Sequence, residues 1–159
     1  MIRTAEKEDI EIIMEIYKKA RAFMINQGNP NQWGNTHPAR EMVKADIEKK
    51  QLYVWEQEGR ICGVFAFIIG EDPTYKRIDE GSWQSEQIYG TIHRLAGDSA
   101  VKGVFSNCLT YCISRCSHLR ADTHFDNHIM QHLLEKNGFE KRGIIYVQDH
   151  SPRIAYERI

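Results

Sequence analysis

A single helical pattern separates the strand-like stretch that ends at Ala96 from the one that begins at Leu119, and no other feature limits the fold as strongly. A helix between two consecutive strands carries the chain back to the end of the sheet it left, so those two strands run parallel. Elsewhere the strand signals sit on tight connections. Leu52 to Trp55 and Ile61 to Ile69 are rich in aromatic and β-branched residues and flank Gln57-Glu58-Gly59-Arg60, which predicts a β-hairpin. The sheet is therefore mixed and mostly antiparallel.

The remaining elements follow from periodicity. Ile2 and Arg3 open the chain as a short strand. Ile10, Ile13, Met14, Tyr17, Ala20 and Met24 recur at spacings of three and four, marking an amphipathic first helix that Gly28 and Pro30 end. Pro38 opens a second helix with Ala39, Met42, Val43 and Ile47 on its apolar face. Glu71 to Glu86 is a long polar excursion holding Pro73, Gly81 and Trp83, and Gln87 to Ala96 is the strand after it. A helix from Gly103 to about Ser117 is followed by a strand at Leu119 to Thr123 and a helix at Asp126 to Lys136. Strands at Gly143 to Val147 and Arg153 to Tyr156 complete an α/β chain of about seven strands and about four helices. At 159 residues the chain suits one domain, residues 1–159, able to bury roughly two-thirds of its unfolded surface.

Composition serves mainly to exclude. With 42% hydrophobic and 27% charged residues the chain is far from disordered or fibrous compositions. A net charge of −1, with Lys and Arg spread along the chain, gives no electrostatic reason for a nucleic-acid partner. The longest apolar run, Val64 to Ile69, is far short of the ~20 residues that span a bilayer, and the amino terminus lacks an apolar signal core. No membrane partner and a cytoplasmic location are expected. Cys108, Cys112 and Cys116 recur every fourth residue, which suggests one inward face of reduced thiols and lacks the Cys-x-x-Cys pairing of metal sites. His124, His128 and His132 share that spacing, but a helix starting after His124 breaks the row, so no metal is expected.

Two segments carry chemistry. Gly97 to Gly103 is a polar, glycine-bounded turn between a strand and a helix, and such a turn aims unpaired N–H groups outward at the positive end of the helix, where phosphate binds well. Gly103 permits close backbone approach, Lys102 adds charge, and Ser106 and Asn107 supply side-chain donors. Glycine there can equally serve only to turn the chain. The second segment runs from Asp122-Thr123-His124-Phe125-Asp126-Asn127 into Leu133-Leu134-Glu135-Lys136-Asn137-Gly138-Phe139. An asparagine opening a helix that closes in Glu-Lys-x-Gly-Phe resembles the second conserved region of the GNAT superfamily of N-acyltransferases. The order of elements is similar to that family over nearly the whole chain, including Ile2-Arg3-x-Ala at the start and Ile92-His93-Arg94-Leu95-Ala96 before the turn.

The resemblance implies the GNAT, or acyl-CoA N-acyltransferase, fold with a splayed parallel pair, and acetyl-CoA as co-substrate. It implies acetyl transfer to a primary amine, on a small molecule or as a protein α-amine, by direct attack in a ternary complex. Carried over position by position, the backbone of Leu95 and Ala96 would pair with the pantetheine amides. Lys102, Gly103, Val104, Phe105, Ser106 and Asn107 would surround the pyrophosphate, and Asn127 would contact the pantetheine or phosphate region. The chain departs from the family at two places. Against Gln/Arg-x-x-Gly-x-Gly/Ala it has Ala100-Val101-Lys102-Gly103-Val104-Phe105, which keeps only the first glycine, and Leu134 stands where many members have a general-acid tyrosine. Both departures suggest an alternative, a non-catalytic acyl-CoA-binding module of the same fold.

Attack by an amine needs a neutral nitrogen, hence a general base. His93 is the first candidate, since an imidazole titrates in the neutral range and strand alternation places it on the side of Tyr89 and Thr91. A hydrogen-bonded structural histidine is the competing reading. Glu80, Glu86 and His124 are the other candidates. Family members build the acceptor pocket from the first-helix loop and the long excursion, which would bring in Trp33, Trp83 and Tyr89, although aromatic residues more often pack than bind. Dimers are common in the family, and exposed edges on the terminal strands would allow a homodimer.

Overall fold

A computed structural model describes all of residues 1–159. Its elements are β1 (Ile2–Thr4), α1 (Ile10–Asn26), α2 (Arg40–Glu48), β2 (Leu52–Gln57), β3 (Arg60–Ile69), β4 (Gly90–Gly97), α3 (Val104–Arg115), β5 (Leu119–Thr123), α4 (His128–Lys136), β6 (Glu140–Tyr146) and β7 (Pro152–Arg158). The seven strands form one sheet in the order β1-β2-β3-β4-β5-β7-β6, and β4 with β5 is its only parallel pair. The β2–β3 hairpin turns at Glu58 and Gly59, both at positive φ (53° and 74°), the two-residue turn whose twist matches that of the strands.

Period-two alternation sends the strands' side chains to two cores. On one face α1 and α2 pack against Val54, Val64, Ala66 and Ala96. On the other, α3 and α4 pack against Phe65, Phe67, Ile92, Leu119 and Tyr156, with Cys108 and Cys112 buried in that interface and Cys116 at its margin. The long excursion returns over the first face, where Tyr75 and Tyr89 pack with Ile145 and Ala155. No helix is long and apolar enough to cross a membrane.

One irregularity positions everything that follows. The β3–β4 register shifts between Val64 and Ala66, and Arg94, at φ 52°, is the extra residue of a β-bulge. The bulge turns the Arg94 side chain toward α2, where Asp46 accepts two of its N–H groups at 2.9 and 3.0 Å, and the Tyr17 hydroxyl donates to the Arg94 carbonyl at 2.8 Å. Deleting one partner of such a buried pair costs about 3–5 kcal/mol, because the other charge is left uncompensated. Just before the bulge, β4 and β5 pair only at Gly90–Leu119 and Thr91–Arg120; beyond those residues the two strands no longer hydrogen-bond to each other.

Several expected boundaries move for identifiable reasons. β4 starts at Gly90 rather than Gln87, because the His118 ring contacts the carbonyls of Gln87 and Ile88 at 3.2 and 3.3 Å and holds that stretch off the sheet. α4 starts at His128 rather than Asp126, because Asn127 is its N-cap and accepts the Met130 N–H at 3.0 Å. β7 lies between β5 and β6, so the carboxyl-terminal strand is not an edge; the edges are β1 and β6.

Candidate active site

A cleft of about 650 Å³ opens at the divergence of β4 and β5 and is lined from both faces of the sheet. Its α3/α4 wall begins with a tight contact. A Cβ on Gly97 or Gly63 would come within 2.7 or 2.8 Å of the Val104 side chain, so only glycines let α3 start directly against the sheet. The N–H groups of the first turn of α3 have no intrahelical acceptor. Gly103, at φ 88°, is the N-cap. Its carbonyl accepts from the Ser106 hydroxyl at 3.2 Å and the Asn107 side chain at 2.8 Å, so both expected side-chain donors turn back onto the loop. Lys102 is exposed. The Phe105 ring turns inward against the α3/α4 core and lines the cleft, as does Leu95, whereas the Ala96 side chain packs in the α1/α2 core. Asn127 is engaged at both ends of its amide, since its Nδ2 also donates to Gln32 Oε1 at 3.0 Å. Leu134 lines the cleft as well and is buried, with no proton to give.

The α1/α2 wall is built from ionisable side chains. His93 Nε2 lies 2.8 Å from Asp72 Oδ2, and the other Asp72 oxygen accepts from the Thr74 N–H at 2.9 Å and its hydroxyl at 2.6 Å. Burial alone would push the Asp72 carboxyl up, but the hydrogen bonds from His93 and Thr74 outweigh it and hold the pKa at about 2. Asp72 is therefore ionised and only accepts, which places the proton of a neutral His93 ring on Nε2 and leaves Nδ1 with a free lone pair. The Tyr75 hydroxyl donates to Asp122 at 2.7 Å. His37 shares this wall; burial, then the charges of Arg94, Arg153 and Arg21, push its pKa down and keep it neutral. Trp33 lines the cleft, edge-on to Tyr17 at 5.6 Å and to His37 at 6.1 Å.

Other residues singled out in the sequence lie elsewhere. Thr91 is buried on the face of His93. Glu80 is exposed beside the Asp79–Ile144 bridge, outside the cleft. His124 precedes α4 and does not line the cleft; its Nδ1 accepts the Asp126 N–H at 3.0 Å, and burial lowers its pKa. Trp83, Tyr89 and Glu86 line a separate cavity of about 420 Å³. There the Trp83 and Tyr89 rings each lie against the Arg120 guanidinium, at 4.1 and 4.0 Å, outside the cleft that holds His93.

The cleft also holds residues that the sequence did not single out. Asp72 carried a faint signal, an Asp-Pro turn opening the excursion. Gln32 carried none, yet its Oε1 accepts from Asn29 and Asn127, each at 3.0 Å, and ties the α1–α2 loop to the start of α4. Arg153 sat inside a strand and was legible only as a strand residue, and Asp122 stood at the head of the segment leading to α4 with no role of its own.

A mixed sheet whose one parallel pair splays over an open helix start, with a carboxylate–imidazole pair beside the gap, defines an acyl-transfer scaffold. Among solved structures the chain is similar to a GNAT-family acetyltransferase from Streptococcus agalactiae 2603, with 30% identity, coverage of 100% of this chain and 94% of the other, and a TM-score of 0.90. The chain belongs to the GNAT family of acetyltransferases and is an acyltransferase. Two more distant structures share the fold: yncA of Salmonella typhimurium, solved with its cofactor acetyl-CoA (19% identity, 99% and 91% coverage, TM-score 0.64), and a ribosomal-protein-alanine N-acetyltransferase from Brucella melitensis (17%, 100% and 99%, 0.63). No protein-family model and no curated protein matches the chain.

Proposed function

We propose that residues 1–159 act as one domain that transfers an acetyl group from acetyl-CoA to a primary amine, by direct attack in a ternary complex. The observation that carries this reading is the Asp72–His93 pair at the gap between β4 and β5. Acetyl-CoA bound to yncA supports the choice of donor. The pyrophosphate would meet the first turn of α3 with Lys102 and Gly103, where N–H groups and helix dipole favour an anion. The pantetheine amides would pair with the backbone of Leu95 and Ala96, on the edge of β4 that β5 leaves free. Asn127 would turn toward that arm, giving up Gln32.

The thioester then sits in the gap with the amine arriving from the α1/α2 face. The amine nitrogen attacks the carbonyl carbon, and a β4 N–H at the splay takes the charge that builds on oxygen. The N–H proton passes to His93 Nδ1, directly or through one water, while Asp72 holds the imidazolium. The C–S bond breaks and CoA leaves as a thiolate. A thiol pKa of about 8.5 makes that departure undemanding, so solvent can supply the proton that Leu134 lacks. The test is thiol release with acetyl-CoA over a panel of primary amines, alongside calorimetric titration of acetyl-CoA. Amine-dependent release supports catalysis. Leu134 specifically favours the second reading, a non-catalytic acyl-CoA-binding module, which predicts binding without release from any amine.

A further inference from the structure

Arg153 is the second residue of β7, on the α1/α2 side of the cleft, and is 6% exposed. Its N–H groups donate only to backbone carbonyls, Pro152 at 3.0 Å and Gln32 at 3.4 Å, and it forms no ion pair. The other fully buried arginine, Arg120, has Glu157 at 3.7 Å, and the half-buried Arg94 and Arg142 have Asp46 at 2.9 Å and Glu157 at 2.8 Å, whereas the half-buried Arg21 and Arg158, like Arg153, bond only to backbone carbonyls. Asp122 and Asp149 are near enough to favour the charge on Arg153, but Asp122 accepts from Tyr75 and Asp149 from Ser151. A guanidinium cannot shed its proton, and with neither carboxylate bonded to it the fork of Arg153 is left to two backbone carbonyls. Its forked donors match a carboxylate.

We propose that Arg153 receives a carboxylate of the acceptor, so that the substrate is a small amine that also bears a carboxylate, an amino acid or a molecule of that class. This rests on the acetyl-transfer reading above and names its acceptor. Arg153 and His93 line the same cleft, which lets one small molecule present its amine to His93 and its carboxylate to Arg153. The Gln32 carbonyl reaches Arg153, so the α1–α2 loop lies close over this end of the cleft and favours a small acceptor over an extended chain.

The test compares amino acids with their α-carboxamides as acceptors in wild type and Arg153→Gln. The wild type is expected to use the acids with kcat/KM at least about tenfold above the amides, and Arg153→Gln to lose at least about tenfold on the acids while the amides stay within about twofold. Equal use of acids and amides by wild type, or an equal loss on both in the variant, overturns the proposal. Should Arg153→Gln fail to fold, Arg153→Lys decides, since it keeps the charge but not the fork and is expected to lower the preference for acids. Should acetyl-CoA bind but no amine be acetylated, the transfer reading falls. Calorimetry of the same acids and amides with CoA present then judges Arg153 alone, and the absence of carboxylate-dependent binding lost in Arg153→Gln overturns it.

Discussion

The two faces of the β4–β5 gap meet a ligand by different means. On the α3/α4 face the polar groups are backbone, or are side chains already tied to backbone, as Ser106 and Asn107 are to the Gly103 carbonyl and Asn127 is to Met130. On the α1/α2 face they are ionisable side chains, Asp72 with His93, then His37 and Arg153. Backbone donors at a helix start accept any phosphate-bearing ligand and tolerate wide changes of sequence. Charged side chains discriminate, and each replacement alters what is recognised. A donor common to a family and an acceptor particular to each member suit that division.

The sharpest way to separate the faces is to remove His93. His93→Gln is expected to lower kcat/KM for every amine by about 10²–10⁴, the usual worth of a general base. The Kd for acetyl-CoA should stay within about twofold, because the donor binds on the other face. Retained turnover would return His93 to a structural role. The converse break is Gly103→Glu. At φ 88° a side chain is strained by roughly 1–3 kcal/mol, and a carboxylate beside the start of α3 opposes the phosphates. Acetyl-CoA affinity is expected to fall by at least about tenfold in protein whose circular dichroism is unchanged; unchanged affinity would move the donor away from this turn.

A smaller effect is expected at Asn127, whose amide caps α4 and bonds to Gln32 of the α1–α2 loop. Asn127→Ala removes the N-cap of α4, worth about 1 kcal/mol. The melting temperature should drop by about 2–4 °C, with acetyl-CoA binding weakened severalfold if the side chain also turns toward the pantetheine. A drop in stability with unaltered affinity would assign Asn127 to capping alone.

The same division explains what the sequence made legible. The parallel pair, the hairpin and the two helices that flank the donor wall depend on patterns of near neighbours: Glu58-Gly59 at the turn, the four-residue recurrence of Cys108 and Cys112, the glycines about the phosphate turn, Asn127 before α4. Each acts within a few positions of itself, so its signal survives in one chain. The acceptor wall is assembled from afar. Asp72 meets His93 only because the excursion folds back across β4, and Gln32 reaches Asn127 and Arg153 over 95 and 121 residues of sequence. Trp83 and Tyr89 lie against Arg120 in a separate cavity, a contact no local pattern announces. Arg153 lay in an apolar strand pattern, where a lone cation reads as a surface residue until its burial is seen.

The smallest predicted effect concerns the acid limb of stability, and it probes the acceptor wall without any ligand. Asp72 has a folded pKa of about 2 against an ordinary 3.8. A carboxyl held low in the folded state stabilises the fold fully above its ordinary pKa and loses that contribution as pH falls through the folded one, so the window here runs from about pH 4 down to about pH 2. Over that window wild type should lose melting temperature more steeply than Asp72→Asn, which has no charge to lose. The difference should be slight, since the carboxylate is partly screened by solvent. The His93→Gln variant should show a shallower acid limb too, because Asp72 then has at most a neutral amide in place of the imidazole that contributes most to lowering its pKa. Parallel acid limbs in all three proteins would mean that Asp72 and His93 are not joined in solution, and would remove the orientation on which the proposed base depends.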